Sequence, residues 1–365
     1  MLLTSVLFAI AYLIFIAILH VGLSRYAMAY VQHDRDLKAI SIVIPFRNEA
    51  GNLPMLFKAL EALDYPANTF EVILVDDYSE DDGYEQAKKW KDNTSLQVRL
   101  LKSSERGKKE AQRMAIQHAQ YDLIACTDAD CLPGEDWLKR ISATFQDDRV
   151  QLAFGPVLLQ ESDHNLQETE FLALIASTMS MLMLRFPVMG NAANMAFRKD
   201  AYLKSTQIMK QINSPSGDDV FLLHNLGKEK YSVGVITGLN ASVFTKPLPS
   251  FNLFLQQRLR WASKARYISN AASFLTGTFV FSVNAFLLVS LFLAFTGFSS
   301  IQPFLILFAS KFLLDAIFIY HAGKFFKESI SLMAVLAQDL INVIYVPVIG
   351  LFAQVLPFYW KGRRY

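Results

Sequence analysis

The first 22 residues of the chain contain no aspartate, glutamate, lysine or arginine. Residues 2–22 are predominantly apolar over about the length of helix that crosses a lipid bilayer. A cleaved signal peptide would begin with a basic segment and end at a small-residue cleavage site, and neither is evident. The pattern therefore predicts a retained N-terminal transmembrane anchor over residues 1–23.

Basic residues after the anchor predict its orientation. Arg25, Arg35 and Lys38 follow the apolar segment, and positively charged flanks tend to stay on the cytoplasmic side. We therefore expect the segment 23–270, which carries nearly all of the charge, to face the cytoplasm. The expected localisation is that of a multi-pass protein of the cell's inner or plasma membrane.

The C-terminal region 271–358 contains further candidate spans, at roughly 272–296, 301–320 and 332–357. The last of them contains the polar residues Gln338, Asp339 and Asn342. If every segment crosses the membrane, the basic tail 359–365 lies outside, against the positive-inside tendency. A re-entrant or interfacial last segment would remove this conflict, so two and three C-terminal spans both remain open.

Strand-like and helix-like segments alternate in the middle of the chain. Five apolar runs are separated by segments of helical periodicity, at 40–45, 72–75, 98–101, 122–126 and 151–154. This alternation predicts an α/β fold with a mostly parallel sheet and helices on its faces, over residues 38–268. In such sheets ligands bind beyond the carboxyl ends of the strands, so functional side chains are expected directly after the runs.

Two compositional features exclude other classes of protein. The formal net charge of +2 gives no reason to expect a nucleic-acid partner. Cys126 and Cys131 are the only cysteines, too few for a disulfide framework or a structural zinc site. They are interpreted as free thiols near a core strand.

Acidic residues follow two of the apolar runs. Asp76 and Asp77 follow the second run, and Asp128 and Asp130 follow the fourth. Carboxylates two residues apart in an extended or turn segment can reach the same point, where they suit a hard divalent cation and phosphate oxygens. Asp128 and Asp130 are therefore candidate ligands of Mg²⁺ or Mn²⁺. Turn-forming or helix-capping aspartates would give the same pattern, and this interpretation stays open.

Lys108 and the pair Asp218 and Asp219 also allow two interpretations each. Lys108 follows Gly107 at the predicted start of a helix, where a diphosphate could bind, although a solvated charged face is commoner. Asp218 and Asp219 precede an apolar run, and they are either helix caps or a general base for an acceptor hydroxyl.

Gln257, Arg260 and Trp261 fall three and four residues apart and would share one face of a helix. Arginine suits a pyrophosphate, and tryptophan offers a flat face to a sugar or an acceptor chain. An interfacial belt of tryptophan and arginine before a membrane span would look the same.

Together these motifs resemble the inverting family 2 glycosyltransferases with a GT-A fold. The motifs follow one another in the order Val75-Asp76-Asp77 with Ser79, Gly107-Lys108 with Ala111, Asp128-Ala129-Asp130, Gly217-Asp218-Asp219, and Gln257 with Arg260 and Trp261. The arrangement is similar to that in cellulose synthase, hyaluronan synthase and ceramide glucosyltransferase relatives. The resemblance covers roughly residues 39–265, with apolar segments on both sides.

The resemblance implies transfer of a sugar, with inversion, from a UDP- or GDP-sugar to a lipid, lipid-linked or glycan acceptor, with Mg²⁺ or Mn²⁺ as the cofactor. Asp219 would be the catalytic base, with Asp218 as the second candidate, and Asp128 and Asp130 would hold the metal. Asp76 or Asp77 would contact the base and ribose of the nucleotide. The implied donor-binding residues are Pro45, Arg47, Glu49, Asp76, Asp77, Lys108, Asp128, Gln257, Arg260 and Trp261.

The sequence departs from the family pattern in the acidic pair, which is Asp218-Asp219 instead of Glu-Asp, so either residue could be the base. Ala262-Ser263-Lys264 stands where the family usually has a glycine, which puts any assignment of processivity in doubt. Residues 190–198 either contact the acceptor or form a strand after a Gly/Asn turn. The alternatives are a processive polysaccharide synthase, a catalytically inactive membrane scaffold and a nucleotidyltransferase.

Overall fold

The computed structural model of the chain describes residues 1–29, 36–160, 165–209, 222–223, 225–226, 233–263, 270–353, 359–360 and 363–364. The chain divides into two compact units. The helical unit comprises Met1–Ala27, Glu161–Val188 and Pro247–Tyr365, and the sheet unit comprises Met28–Gln160 and Met189–Lys246.

The helices of the described residues differ in length and composition between the two units. They are α1 Leu2–Met28, α2 Leu53–Glu61, α3 Gly83–Asn93, α4 Lys108–His118, α5 Trp137–Thr144, α6 Asn165–Met183, α7 Lys199–Met209, α8 Phe251–Ser263, α9 Ala271–Phe295, α10 Gln302–Phe326 and α11 Leu332–Phe352. The helical periodicity after the first apolar run corresponds to α2, which buries Leu53, Leu56, Phe57 and Leu60.

All five apolar runs are strands, as the sequence predicts. The strands are β1 Ile40–Phe46, β2 Phe70–Asp76, β3 Gln97–Lys102, β4 Leu123–Cys126, β5 Cys131–Pro133, β6 Leu152–Phe154, β7 Val157–Leu159, β8 Met195–Arg198, β9 Val233–Val235, β10 Val243–Thr245, β11 Tyr359–Trp360 and β12 Arg363–Arg364. The main sheet has the order β3-β2-β1-β4-β8-β6-β9. Strands β1 and β2 are buried along their whole length, as central strands of parallel sheets usually are.

One strand makes the main sheet mixed. Strand β8 pairs antiparallel with both β4 and β6, while β1 pairs parallel with β2 and β4. Its residues end the segment 190–198, in which a short 3-10 helix, Ala192–Asn194, precedes the strand. The predicted strand is confirmed, and contact of this segment with an acceptor stays a prediction. A second sheet of three strands, β5-β10-β7, extends from the acidic turn that follows β4.

The buried side chain of Asn194 joins segments next to the second sheet through three hydrogen bonds. Its buried side chain accepts a hydrogen bond from the indole of Trp137 at 2.9 Å. It donates to the carbonyl oxygens of Pro156 at 2.8 Å and Ala241 at 3.1 Å. A buried amide with several partners defines one arrangement of the segments that it joins.

Among its described residues, the helical unit contains four helices that are long and apolar enough to cross a membrane: α1, α9, α10 and α11. The shortest has 21 residues, and a rise of about 1.5 Å per residue gives it roughly the thickness of a bilayer's hydrocarbon core. Each predicted apolar segment is thus a single helix, and the last ends at Phe352 with Pro347 in its interior.

Four polar side chains meet inside the helical unit, and we call Tyr12, Lys311, Asp315 and Asp339 the buried ion cluster. Lys311 Nζ donates to Asp315 Oδ2 at 2.7 Å and pairs with Asp339, and Tyr12 donates to Asp315 Oδ1 at 2.6 Å. The side chains of Lys311 and Asp339 are only 4% and 3% exposed. Because its members come from α1, α10 and α11, the cluster joins the N-terminal helix to two C-terminal helices.

Candidate active site

The carboxyl ends of three neighbouring parallel strands meet at one edge of the main sheet. Phe46 at the end of β1 pairs with Asp76 at the end of β2, and Val43 pairs with Cys126 at the end of β4. The loops that leave these strands therefore start side by side. This edge is where open α/β sheets bind their ligands.

Asp76 and Asp77 are both buried at this edge. Asp76 Oδ1 accepts a hydrogen bond from the backbone of Ser79 at 3.1 Å, and Asp77 Oδ1 accepts one from the backbone of Gly107 at 2.6 Å. Gly107 has φ +133°, a conformation in which a side chain is strained. The Asp77 side chain therefore joins the loop after β2 to Gly107, the N-cap residue of α4.

Lys108 and Asp128 form an ion pair next to that tie. Lys108 Nζ donates to Asp128 Oδ1 at 2.5 Å, and the two side chains are 31% and 32% exposed. Since Lys108 is the first residue of α4 and directly follows Gly107, the structure brings together Asp77, Lys108 and Asp128. This half-exposed pair combines a cationic donor and a hard oxygen ligand on one surface.

Asp130 lies on the exposed side of the turn between β4 and β5, which a 3.1 Å bond from the Cys131 backbone to the Asp128 carbonyl closes. Among the described residues, no three His, Cys, Asp or Glu side chains gather to hold a metal ion. Two carboxylates still fit Mg²⁺ or Mn²⁺, because such ions commonly take one or two protein carboxylates and complete their shell with substrate phosphates and water.

Two cysteines lie beside this turn. Within the part of the chain that the structure describes, Cys126 and Cys131 are buried thiols without a disulfide, as the sequence predicts. Burial, together with the charges of Asp130 and Asp128, raises the pKa of the Cys131 thiol well above its usual range. The thiol therefore stays protonated near neutral pH.

The end of β1 and the loop after it hold the other three donor-binding candidates of the sheet unit. Pro45 lies within β1 opposite Val75. Arg47 lies 3.7 Å from Glu80 in an ion pair whose acidic partner is exposed. Glu49 is buried and accepts a 2.6 Å bond from the Asn52 amide just before α2. The contacts of Glu49 thus fix the start of a helix.

Sequence reasoning missed the contacts that join the β1 and β2 loops. Asn48 and Tyr78 have left-handed backbones, with φ +54° and +57°. The Asn48 backbone donates to Ser79 Oγ at 3.0 Å, and its side chain accepts from the Glu80 backbone at 2.8 Å. Asparagine tolerates this conformation, which was a weak signal. A positive φ is unusual for a bulky residue such as tyrosine, and no sequence pattern predicts it.

Tyr78 in turn contacts the loop after β3. Its hydroxyl donates to the Ser104 carbonyl at 3.1 Å, and the guanidinium of Arg106 lies 5.3 Å from its ring centroid. The loops after β1, β2 and β3 are therefore linked in series around the edge that carries the Lys108–Asp128 pair.

Gln257, Arg260 and Trp261 lie in the helical unit, on α8, so the predicted helix is confirmed. Gln257 Oε1 accepts a hydrogen bond from Arg258, and the Trp261 ring centroid lies 4.4 Å from the Arg258 guanidinium carbon. Arg260 is partly buried, and its carbonyl accepts a 2.9 Å bond from Ser263. The structure thus brings Gln257 and Trp261 together on Arg258, a residue that the sequence analysis did not single out.

The two candidates for the catalytic base, Asp218 and Asp219, lie outside the described residues, as does Arg35.

Comparisons with known proteins agree with this architecture. Residues 41–206 match the family model described as glycosyl transferase family 2. Glycosyltransferase AglE of Haloferax volcanii is 31% identical over 124 residues, which are 33% of this chain and 40% of that protein. Undecaprenyl-phosphate 4-deoxy-4-formamido-L-arabinose transferase of Aeromonas hydrophila subsp. hydrophila is 31% identical over 120 residues, 31% of this chain and 36% of that protein. Both matches therefore span less than half of the relative's length.

A solved structure extends the likeness over nearly the whole chain. The mannosyltransferase PcManGT from Pyrobaculum calidifontis, in complex with GDP-Man and Mn²⁺, covers 95% of this chain and 98% of its own, with a TM-score of 0.53 and 16% sequence identity. A likeness at this identity concerns the fold. The predicted α/β fold of the GT-A type, with apolar helices at the termini, is confirmed.

Proposed function

We propose that this chain is a membrane glycosyltransferase that moves a sugar from a nucleotide-sugar donor to a lipid, lipid-linked or glycan acceptor with inversion. The match of residues 41–206 to the glycosyl transferase family 2 model supports the proposal. The observation that carries the proposal is the Lys108–Asp128 pair at the carboxyl edge of the sheet, held beside the Asp77–Gly107 bond. A lysine at the start of a helix attracts a diphosphate directly, and a carboxylate beside it can contribute through a bound divalent cation.

Lys108 would bind and orient the donor diphosphate through its ammonium group. It lies at the N-terminus of α4, where the backbone N–H groups also favour an anion. Asp76 and Asp77 would contact the base and ribose of the nucleotide, and Pro45, Arg47 and Glu49 would shape the adjoining loop.

Asp128 and Asp130 would hold Mg²⁺ or Mn²⁺, which supplies positive charge beside the diphosphate when bound. Mn²⁺ is named with the solved mannosyltransferase, which supports this choice.

On the acceptor side, Asp219 would take the proton from the attacking hydroxyl, and Asp218 would cap the helix or orient its neighbour. Gln257, Arg260 and Trp261 would line the diphosphate and the acceptor entrance. A lipid-linked acceptor is supported by the four helices that could cross a membrane and by a relative whose name specifies undecaprenyl-phosphate. A processive polysaccharide synthase is the second possibility within this class, and the length of the product separates the two.

The direct test is a screen of nucleotide sugars against the purified full chain in detergent, with release of nucleoside diphosphate measured with and without Mn²⁺. Release of UDP or GDP that depends on an added acceptor supports the proposal. Release of pyrophosphate would indicate a nucleotidyltransferase. No turnover of any donor with any lipid or glycan acceptor would favour the inactive scaffold.

Asp128→Ala and Asp130→Ala are each expected to weaken metal-dependent donor binding, because two negative charges beside a diphosphate repel it unless a cation lies between them. Donor affinity measured by calorimetry at several Mn²⁺ concentrations checks this. Asp122→Ala is the matched control, since Asp122 is an exposed aspartate at the opposite end of β4. Full transfer activity in excess EDTA would contradict the prediction.

The sheet unit is expected to face the cytoplasm, because Arg25, Arg35 and Lys38 follow a charge-free first helix. A cysteine introduced at an exposed position such as Lys91 should react with a membrane-impermeant maleimide only after the cells are opened. The native cysteines are both buried and give little background. Labelling in intact cells to the same extent as in lysed cells would place this unit on the other side.

A further inference from the structure

Arg258 is a charged side chain buried in the helical unit, and it lies between two members of the motif on α8. Its Nε donates to Glu170 Oε1 at 2.8 Å, and its Nη2 pairs with Glu170 Oε2. The side chains are 6% and 16% exposed. Two parallel bonds to one carboxylate fix the plane of the guanidinium and not only its position.

The fixed guanidinium contacts three side chains of α8, and two of them belong to the motif. Its carbon lies 4.4 Å from the ring centroid of Phe254, one turn before it, and 4.4 Å from that of Trp261, three residues after it. Its Nη1 donates to Gln257 Oε1. Phe171, the neighbour of Glu170 on α6, also lies near Trp261, with 6.4 Å between the centroids of the two rings.

These contacts define how the two motif side chains are presented. With its carbonyl oxygen engaged by Arg258, the Gln257 amide offers Nε2–H donors to any further partner, which suits a phosphate or hydroxyl oxygen. The Trp261 ring is oriented by the guanidinium, since arginine attracts the face of an aromatic ring. A glutamine that is free to rotate would lose side-chain conformational entropy when a ligand ordered it, and the bond from Arg258 reduces that loss.

We propose that Arg258, anchored by Glu170, is a positioning residue that holds Gln257 and Trp261 in the orientation required for sugar transfer. The inference rests on the proposed function, which assigns those two residues to the donor diphosphate and the acceptor entrance. Arg258 itself touches neither substrate. Its planar guanidinium can bind the Glu170 carboxylate through two bonds and at the same time contact the Trp261 ring and the Gln257 amide. The compact ammonium of lysine lacks this planar, forked geometry.

Three variants separate positioning from a simple clamp between α6 and α8. Arg258→Lys keeps the charge beside Glu170 but loses the fork and the stacked plane. Glu170→Gln keeps the arginine but removes its charged anchor. The exchange Arg258→Glu with Glu170→Arg keeps an ion pair between the helices but removes the cation that touches Gln257 and Trp261.

For the full chain in detergent, we expect Arg258→Lys to lower kcat/KM for the donor by about tenfold to a hundredfold, the usual effect of a small displacement of a positioning group. Glu170→Gln should lower it less. The exchanged pair should regain most of the thermal stability lost in Glu170→Gln without regaining transfer. In protein labelled with 5-fluorotryptophan, the ¹⁹F resonance of Trp261, assigned with Trp261→Phe, should shift in Arg258→Lys without added substrate.

If the exchanged pair regains transfer together with stability, Arg258 only clamps two helices and the proposal is overturned. An unchanged Trp261 resonance and wild-type transfer in Arg258→Lys would overturn it independently. Gln257→Ala and Trp261→Ala are measured in parallel. If both transfer sugar at the wild-type rate, the proposed role of the motif has failed, whereas the resonance still tests whether Arg258 orients Trp261.

Discussion

Asp219→Asn is expected to lower the rate of sugar transfer by about two to four orders of magnitude, the usual contribution of a general base. A sugar or lipid hydroxyl is a poor nucleophile at neutral pH, so a carboxylate that takes its proton during attack accelerates inversion. Asparagine keeps the size and shape of aspartate but cannot accept that proton. Single-turnover transfer with a saturating donor measures the chemical step, and calorimetry should give nearly unchanged donor affinity.

Asp218→Asn is the matched control, because it makes the same change in the adjacent residue. A smaller loss is expected for this variant, because Asp218 is proposed only to cap the helix or to orient its neighbour. A wild-type rate in Asp219→Asn with an inactive Asp218→Asn would exchange the two roles. Wild-type rates in both would mean that the pair only caps a helix, and the proposed base would be wrong.

The sheet was predictable from sequence where its strands are long and buried. Every residue of β1 and β2 is buried, so both strands are predominantly apolar and are followed by polar loops. Strands β5, β7 and β10 have three residues each and pair only within the second sheet. Such short strands carry too few residues for a periodic signal, and their pairing depends on tertiary contacts such as those of Asn194.

The candidate site was predictable in composition but not in its contacts. Strand ends followed by Asp77 and Asp128 predicted that these residues share one edge of the sheet, because parallel strands present their carboxyl ends together. The sequence could not show that Asp77 would bind Gly107 or that Lys108 would pair with Asp128, since these bonds join residues 30 and 20 positions apart. Arg258 was overlooked for a similar reason, as its anchor Glu170 lies 88 positions away.

Lys311→Met is expected to lower the free energy of unfolding of the helical unit by about 3–5 kcal/mol, the usual cost of removing one partner from a buried ion pair. In the buried ion cluster one ammonium faces two carboxylates, and methionine would leave both without it. Asp315 keeps its bond from Tyr12, whereas Asp339 Oδ2 has no hydrogen-bond partner among the described residues. Titrating a denaturing detergent into the full chain and following the loss of helix packing measures the change.

Lys324→Met is the matched control, because it makes the same substitution on the same helix at an exposed lysine, where a change of about 0.5 kcal/mol or less is expected. The double variant Lys311→Asp with Asp339→Lys again places one ammonium opposite two carboxylates and should recover more than half of the lost stability. Ionisable groups inside apolar helices are costly unless they are paired, so recovery would show that the pairing, and not the size of Lys311, joins α10 to α11. If Lys311→Met unfolds like the wild type, the cluster does not stabilise this unit.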